Sequence, residues 1–204
     1  AAYAPILHAL SGFDLAFMSA QVEARDPPAW NIMIADVVAA VYAFGAIQTA
    51  LLRRERDGVG AVIDTTLIES MLSLVAIQIQ EAQTPVPVTR KVFRPVRTAD
   101  GHVMIPLVSA RDYLTLYPLI GRPEWCSDPV YSQVSGIVAN VAAIERRLGD
   151  WACTRTTEAV VEALVTAGLP CSRYRTPAEV LQDAHLRARG SFAALADGRG
   201  DYVV

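Results

Sequence analysis

The sequence is short of what a disulfide-stapled or metal-bound scaffold needs. Its 204 residues hold three cysteines, Cys126, Cys153 and Cys171. The number is odd and no metal-ligand spacing is present, so neither a disulfide framework nor a zinc site is expected, and a reducing, cytoplasmic compartment fits best. Charge is scarce: 19% of residues are charged against 52% apolar, a balance that excludes disorder and demands a substantial core. Neither sign dominates, because 18 basic and 21 acidic residues leave a net charge of −3. A dedicated nucleic-acid binder would show a basic excess gathered on one face. Internal repeats and low-complexity tracts are absent. The opening Ala1-Ala2-Tyr3 carries no charged n-region and no apolar h-region, so no secretory signal is expected.

What the sequence does have is one long apolar run. Residues 33–52 carry Asp36 as their sole charge and are followed by Arg53, Arg54 and Arg56. Length and flanking charge both suit a membrane span. Against this, alanine outnumbers leucine, and Asp36, Gln48 and Thr49 are costly in lipid. The favoured reading is a helix apolar on all sides and buried in a large soluble core, with no membrane partner.

Around this run the chain divides into segments. Residues 3–12 predict a short helix with Ile6, Leu7, Ala9 and Leu10 apolar, stopped by Gly12. A polar stretch then closes at Asp26-Pro27-Pro28. The long helix spans about 32–56 and ends at Asp57-Gly58-Val59-Gly60. Residues 61–66 read as a strand, and 67–83 as a helix with Leu67, Met71, Leu74 and Ile77 at helical spacing. Thr84-Pro85-Val86-Pro87-Val88 is a stiff extended linker. Beyond it 96–108 predicts a β-hairpin turning at Thr98-Ala99-Asp100-Gly101, with Val103, Ile105 and Leu107 alternating. Helices are expected over 111–120, 139–152, 157–167 and 177–183, with Thr156-Thr157 offering an N-cap before Glu158. The resulting domains are 1–83, part of a large domain; 84–96, a linker; 97–185, a small α+β domain; and 186–204, the start of a return linker. The first 83 residues lack the surface needed to cover so apolar a helix, and so read as part of a larger domain or as an element buried in an oligomer.

Asp36 leads the residues that could carry chemistry. Near the helix entry, desolvation disfavours its charged form, whereas unsatisfied N–H groups and the positive end of the helix dipole favour it. An ionised carboxylate kept in a water-poor pocket is a usable nucleophile. Ala39, Ala40, Ala43 and Ala46 follow on the same side and leave room beside it. From spacing alone, an ordinary capping aspartate on a close-packing alanine face has the edge over the nucleophile. His8 sits among apolar neighbours and reads as a core or surface residue; His102 follows a turn glycine, and His185 lies among Arg187 and Arg189. Asp64 and Glu69 fit a helix cap. The arginines at 53, 54 and 56 fit a helix C-terminus, where cations are favourable. All three thiols read as structural, and no metal site is expected.

Taken in order, the strings resemble a known family. Tyr3-Ala4-Pro5-Ile6-Leu7-His8-Ala9-Leu10-Ser11-Gly12 is followed by Ile34-Ala35-Asp36-Val37, by Ala50-Leu51-Leu52-Arg53-Arg54-Glu55-Arg56-Asp57-Gly58-Val59-Gly60, and by Val62-Ile63-Asp64-Thr65-Thr66-Leu67-Ile68-Glu69-Ser70-Met71. The second half adds Arg97-Thr98-Ala99-Asp100-Gly101, Ile120-Gly121-Arg122-Pro123-Glu124-Trp125, Gly168-Leu169-Pro170-Cys171 and Asp183-Ala184-His185-Leu186-Arg187-Ala188-Arg189-Gly190. This series resembles the class III CoA-transferases, the CaiB/BaiF family, over essentially the whole chain.

The resemblance implies an α/β fold: part of a Rossmann-like large domain, helix-rich here, joined by a linker to a small α+β domain. It implies that Asp36 is the nucleophile, acylated by an acyl-CoA thioester and then carrying CoA itself. Tyr3 matches a tyrosine near the active site of formyl-CoA transferase, and Ala39 and Ala40 line the substrate pocket. Coenzyme A enters as a thioester substrate rather than a resident cofactor, and the partners are acyl-CoA, a carboxylic acid and a second copy of the chain in an interlocked homodimer. The residues holding CoA are expected mostly in an N-terminal segment outside this chain, which reads as a fragment. The resemblance implies a CoA-transferase moving CoA from an acyl-CoA to a carboxylic acid, with an acyl-CoA racemase or a non-catalytic family remnant as alternatives, and two departures narrow the activity. The α-methylacyl-CoA racemases have a histidine where Tyr3 stands, with His8 about a turn away. Ala4 replaces a glutamate of formyl-CoA transferase, and 83–93 lacks that enzyme's glycine-rich loop.

Overall fold

Tyr3 stands in extended backbone and proline follows within the first turn, where its missing N–H is harmless, so helix α1 runs Ala4–Leu10. The computed structural model describes residues 3–21, 26–84, 92–196 and 201–203. These fall into two units, Ala1–Val92 and Phe93–Val204.

In the first unit, Gly12 turns the chain at φ +78°, a left-handed conformation that glycine enters without steric cost. Helix α2, Phe13–Ser19, follows at once. The stretch that composition marks as polar is thus helical in its first part. Phe13 and Phe17, one turn apart, both meet the ring of Trp30. Helix α3 spans Ile34–Asp57 and closes at Gly58. Helix α4, Leu67–Leu74, is N-capped by Thr66, whose Oγ1 accepts the Glu69 N–H and donates to Glu69 Oε2. Helix α5, Ala76–Glu81, is separate. The single helix expected over 67–83 breaks at buried Val75, whose backbone (φ −110°) leaves the helical region.

One further expectation for this unit is corrected. Residues 61–66 are not a strand: no partner strand lies beside them among the described residues, and Val62 is fully exposed. A strand is defined by its ladder and cannot form alone. Helix α3 is largely exposed, in keeping with the shortage of covering surface expected in residues 1–83. Ala35 and Ala39 are its buried residues, whereas Val41 and Phe44 are 67% and 65% exposed. Helices α1 and α4 pack on one side of it, and Tyr42 donates to Ser73 Oγ at 3.0 Å. By length and composition alone α3 could cross a bilayer. The unit's small core, Ala4, Leu7, Ala35 and Met71 with Phe13, Ile34, Leu67 and Ile68 around them, includes the first two residues of α3.

The second unit is built on a three-stranded antiparallel sheet. Strand β1, Pro95–Arg97, pairs with β2, His102–Met104, in the register Val96 to Val103. Strand β3, Ser172–Arg173, adds to the other edge of β2. The alternation of Val103, Ile105 and Leu107 does mark buried positions, but β2 stops short of 108 because Pro106 has no N–H for a ladder. Helices α6 (Ala110–Leu119), α7 (Pro129–Ser132), α8 (Val134–Ala152) and α9 (Thr157–Thr166) follow, with a 3-10 turn at Pro123–Cys126. Helix α10 covers Pro177–Leu181 and α11 covers Ala184–Ala188. A hairpin of β4, Ala194–Ala196, and β5, Asp201–Val203, lies in the segment expected to be a return linker. Leu116, Tyr117, Ile120, Ile144, Val160 and Leu164 are wholly buried in one core with Val103.

The hairpin turn is docked on the start of α9. Asp100 accepts the Thr157 N–H and Oγ1–H, both at 2.7 Å, and Ala99 N–H donates to Arg155 O. Thr156 caps the same helix through the Ala159 N–H, as its position predicts. Of the expected linker 84–96, residues 85–91 lie outside the described residues.

Two predictions follow from this packing. A Cβ on Gly136 would stand 2.4 Å from Val130 O, whereas one on Gly149 meets nothing within 4 Å. Within the same helix, Gly136→Ala should therefore destabilise by about 1–3 kcal/mol and Gly149→Ala should stabilise by about 0.5–1 kcal/mol, both read from urea midpoints. The Thr157 hydroxyl, and after it the Thr157 N–H, hold the Asp100 carboxyl below the ordinary carboxylate value. A lowered folded-state value means the contribution is present above about pH 4 and is lost as pH falls through the lower value. The fall in stability on acidification should be shallower in Asp100→Asn, measured as midpoint against pH.

Candidate active site

A helix leaves its first N–H groups without intrahelical acceptors, and something must satisfy them. Met33, the N-cap of α3, offers them no side-chain bond. Ile34 N–H turns back to Ile32 O at 3.0 Å. Ala35 N–H donates to the imidazole Nε2 of His8, 27 residues earlier on α1, at 3.3 Å. Asp36 is the next residue, in the same first turn.

His8 is wholly buried. Its ring meets Phe13 at 5.9 Å and stands edge-on to Trp30 at 5.7 Å. Trp30 Nε1 donates to Asp14 Oδ1 at 2.7 Å, and Asp14 is itself buried. The α1–α2 turn is pinned by Ser11, whose hydroxyl donates to His8 O and accepts the Phe13 N–H. The first turn of α3 thus sits on a packed cluster of one imidazole, two phenyl rings, an indole and a carboxylate.

Asp36 itself is exposed. The described residues do not supply the water-poor setting expected around it. Ala40, four residues on, is exposed on the same side, and Val37, Val41 and Phe44 leave this flank open and apolar. Ala39 lies instead with Ala35 on the buried side. The small-residue flank expected beside the carboxylate is therefore divided: Ala40 shares Asp36's open face and Ala39 serves the packing. Tyr3 is 68% exposed at the N-cap of α1, its carbonyl accepting the Ile6 and Leu7 N–H groups. Among the described residues no group of His, Cys, Asp and Glu is arranged to hold a metal ion.

Comparison with known proteins identifies the family. The profile of CoA-transferase family III matches residues 1–204. The chain belongs to CoA-transferase family III. It is similar to the succinyl-CoA:mesaconate CoA-transferase of Haloarcula hispanica, 26% identical over 168 residues, covering 76% of this chain and 41% of the relative. It is also similar to the succinyl-CoA–D-citramalate CoA-transferase of Chloroflexus aurantiacus, 28% identical over 183 residues, 85% of this chain and 46% of the relative. Among solved structures, a CaiB/BaiF family protein from Brucella suis superposes with a TM-score of 0.74 at 25% identity, over 95% of this chain and 53% of that one. Rv3272 of Mycobacterium tuberculosis shares the fold, with a TM-score of 0.83 at 21% identity over 100% of this chain and 55% of that one. The chain thus spans about half the length of the relatives it matches.

Several strings that carry the family resemblance serve packing in this member of CoA-transferase family III. In Ile120-Gly121-Arg122-Pro123-Glu124-Trp125, Ile120 is core, Arg147 Nε donates to its carbonyl, and Trp125 stacks on Tyr131 at 4.2 Å. Tyr117, whose hydroxyl donates to Tyr131 O, meets the same indole edge-on, and burial pushes its phenol up to about 12. Asp183 caps α11 through the Leu186 N–H and pairs with Arg175. Burial pushes the Cys171 thiol up, as suits a structural cysteine. The histidines at 102 and 185 are exposed.

The bond from Ala35 N–H to His8 is not readable from spacing, since its donor is a backbone group and its acceptor lies on another helix. The nearby Trp30–Asp14 pair is also non-local, 16 residues apart. Trp30→Phe keeps the ring contacts but leaves the Asp14 carboxylate without its indole donor. That variant should lose about 1–3 kcal/mol of stability, measured by urea denaturation.

Proposed function

We propose that the protein containing this chain moves CoA from an acyl-CoA donor to a carboxylic acid acceptor, with Asp36 as the nucleophile. One observation carries the reading: an accessible carboxylate stands in the first turn of a 24-residue helix, on its open face. Membership of CoA-transferase family III supports it.

The chemistry follows from a carboxylate at a helix start. Asp36 attacks the thioester carbonyl of the donor; the C–S bond breaks, giving an aspartyl acyl anhydride and CoA thiolate. The thiolate then attacks the Asp36 carbonyl carbon, forming an aspartyl-CoA thioester and releasing the donor acid as carboxylate. The acceptor carboxylate attacks that thioester, giving a second anhydride and thiolate. Attack of the thiolate on the acceptor's acyl carbon yields the new acyl-CoA and restores Asp36. No net proton or electron is exchanged, and over the whole cycle one thioester replaces another. Covalent splitting of this kind turns one difficult exchange into easier steps. The positive end of the α3 dipole favours the attacking carboxylate and the oxyanions that follow it.

The remaining parts of the reading concern the whole protein. Its large domain is Rossmann-like, and 61–66, unpaired here, join its sheet. Segments outside this chain hold most of CoA, which is substrate rather than resident cofactor. They also cover the apolar flank of α3, together with a second chain in an interlocked dimer, in a cytoplasmic enzyme with neither membrane nor nucleic acid as partner. That second chain is a copy of this one in our reading. A relative named the succinyl-CoA–L-malate CoA-transferase beta subunit makes a paralogous partner the alternative. The printed names of the relatives support a succinyl-CoA donor and a small dicarboxylate acceptor. Tyr3 and Ala40 border the acyl site, with Ala39 packed behind it.

A racemase would need a pair of groups shuttling a proton at the α-carbon. The Nε2 lone pair of His8 is already taken by the Ala35 N–H, and the ring is wholly buried. Nothing in this unit favours that chemistry over transfer.

Full-length enzyme incubated with succinyl-CoA and then hydroxylamine should carry its label on Asp36 in peptide mass spectra. Asp36→Ala should lower kcat at least about 10³-fold, as expected when a covalent nucleophile is removed. An unlabelled Asp36 with full turnover in the alanine variant would exclude the mechanism. Deuterium entering the α-carbon of a 2-methylacyl-CoA without an acceptor acid would select the racemase.

A further inference from the structure

We propose that His8 is a positioning residue for the nucleophile, acting through the hydrogen bond that its Nε2 accepts from the Ala35 N–H. The inference rests on the reading of Asp36 given above and adds a residue to it.

The N-terminus of α3 is capped unusually. Helix starts are commonly closed by a local Ser, Thr, Asp or Asn side chain, as Thr66, Ser109, Thr156, Thr176 and Asp183 do elsewhere in this chain. Helix α3 has methionine at that position and no local side-chain bond. Its second N–H is taken by a buried imidazole from α1, at 3.3 Å. The bond therefore ties α1 to the peptide unit immediately before Asp36. It sets the rotation of the first turn, and with it the direction of the carboxylate, as a local cap could not.

The imidazole is itself held on several sides. Phe13 and Trp30 pack against the ring, Trp30 is anchored to Asp14, and Ser11 ties down the His8 carbonyl. Because Nε2 accepts, the proton of the neutral ring lies on Nδ1. That atom is buried and has no hydrogen-bond partner among the described residues. An apolar side chain would fill the same space without leaving a buried donor unpaired. The acceptor at Nε2 is what an imidazole supplies here and a leucine would not. Misplacing a nucleophile by about 1 Å lowers a rate by about 10²-fold, so a loosened first turn should appear in kcat.

The test compares His8→Leu with His8→Gln in the full-length enzyme. Leucine removes the acceptor, whereas glutamine can bring Oε1 to the place of Nε2. His8→Leu should lower kcat and the rate of Asp36 labelling by about 10- to 100-fold, with KM for succinyl-CoA within about threefold. Amide hydrogen exchange at Ala35 should accelerate in the same variant. His8→Gln should stay within about threefold of the parent in all of these. His8→Met replaces the leucine variant if that fails to fold. The proposal is overturned if the apolar variant keeps the parental kcat per folded molecule and the parental exchange rate. It is also overturned if glutamine falls as far as leucine, which would make ring packing the cause. Failure of the Asp36 reading looks different: the parent itself gives no labelled Asp36, and Ala35 exchange in the two His8 variants still decides whether the imidazole holds the turn.

Discussion

Helix α3 begins with peptide groups that have no partners of their own, and the structure around it is arranged by how those groups are satisfied. A local capping side chain would close the helix end and leave its orientation to packing alone. The bond from Ala35 N–H to His8 instead couples the helix to α1. Packing then follows from it. Ala4 and Leu7 of α1 and Ala35 of α3 come together over Met71 of α4, so the unit's small core lies beneath the turn that carries Asp36. Side chains of one carbon at Ala4 and Ala35 let the helices approach closely enough for a ring nitrogen to reach a backbone donor. Larger residues there would hold α1 away and leave the N–H unpaired in an apolar surrounding.

That local order contrasts with the rest of α3. Beyond Ala39 the helix presents valine, phenylalanine, isoleucine and leucine to solvent. Apolar residues exposed together on this scale mark a surface that another element covers. The chain spans about half of its relatives' length, and their remaining length is ample for such a cover. One side of α3 is therefore completed within this chain and the other side is not. Asp36 sits at the boundary: its backbone belongs to the finished side and its carboxylate to the open one.

The sequence was legible where causes are local. Helix spacing, the Thr156 cap and the Asp100-Gly101 turn each depend on residues within a few positions, and each is found close to where it was expected. The signal for α2 is weaker, since a seven-residue helix has little periodicity to offer. Pro106 was a readable stop that the alternation around it masked. The open flank of α3 is legible too, because residues 1–83 hold too little apolar surface to cover so apolar a helix. The proposal for Asp36 comes from family resemblance, since spacing alone favours a cap. The imidazole that orients its turn was not legible: its partner is a backbone group far along the chain, and no side-chain motif records such a bond.

The same bond bears on which chemistry this helix end can perform. A general base needs a free lone pair within reach of the proton it removes. Donation from a backbone N–H occupies the lone pair of His8 Nε2, and burial separates the ring from any substrate on the open face. Freeing that nitrogen for catalysis would unpair Ala35 and loosen the turn that holds the carboxylate. One side chain cannot both cap this helix and shuttle protons at its end. With His8 committed to structure, this end of α3 presents an exposed carboxylate alone, and the nucleophilic role proposed for it requires a fixed direction and no proton partner.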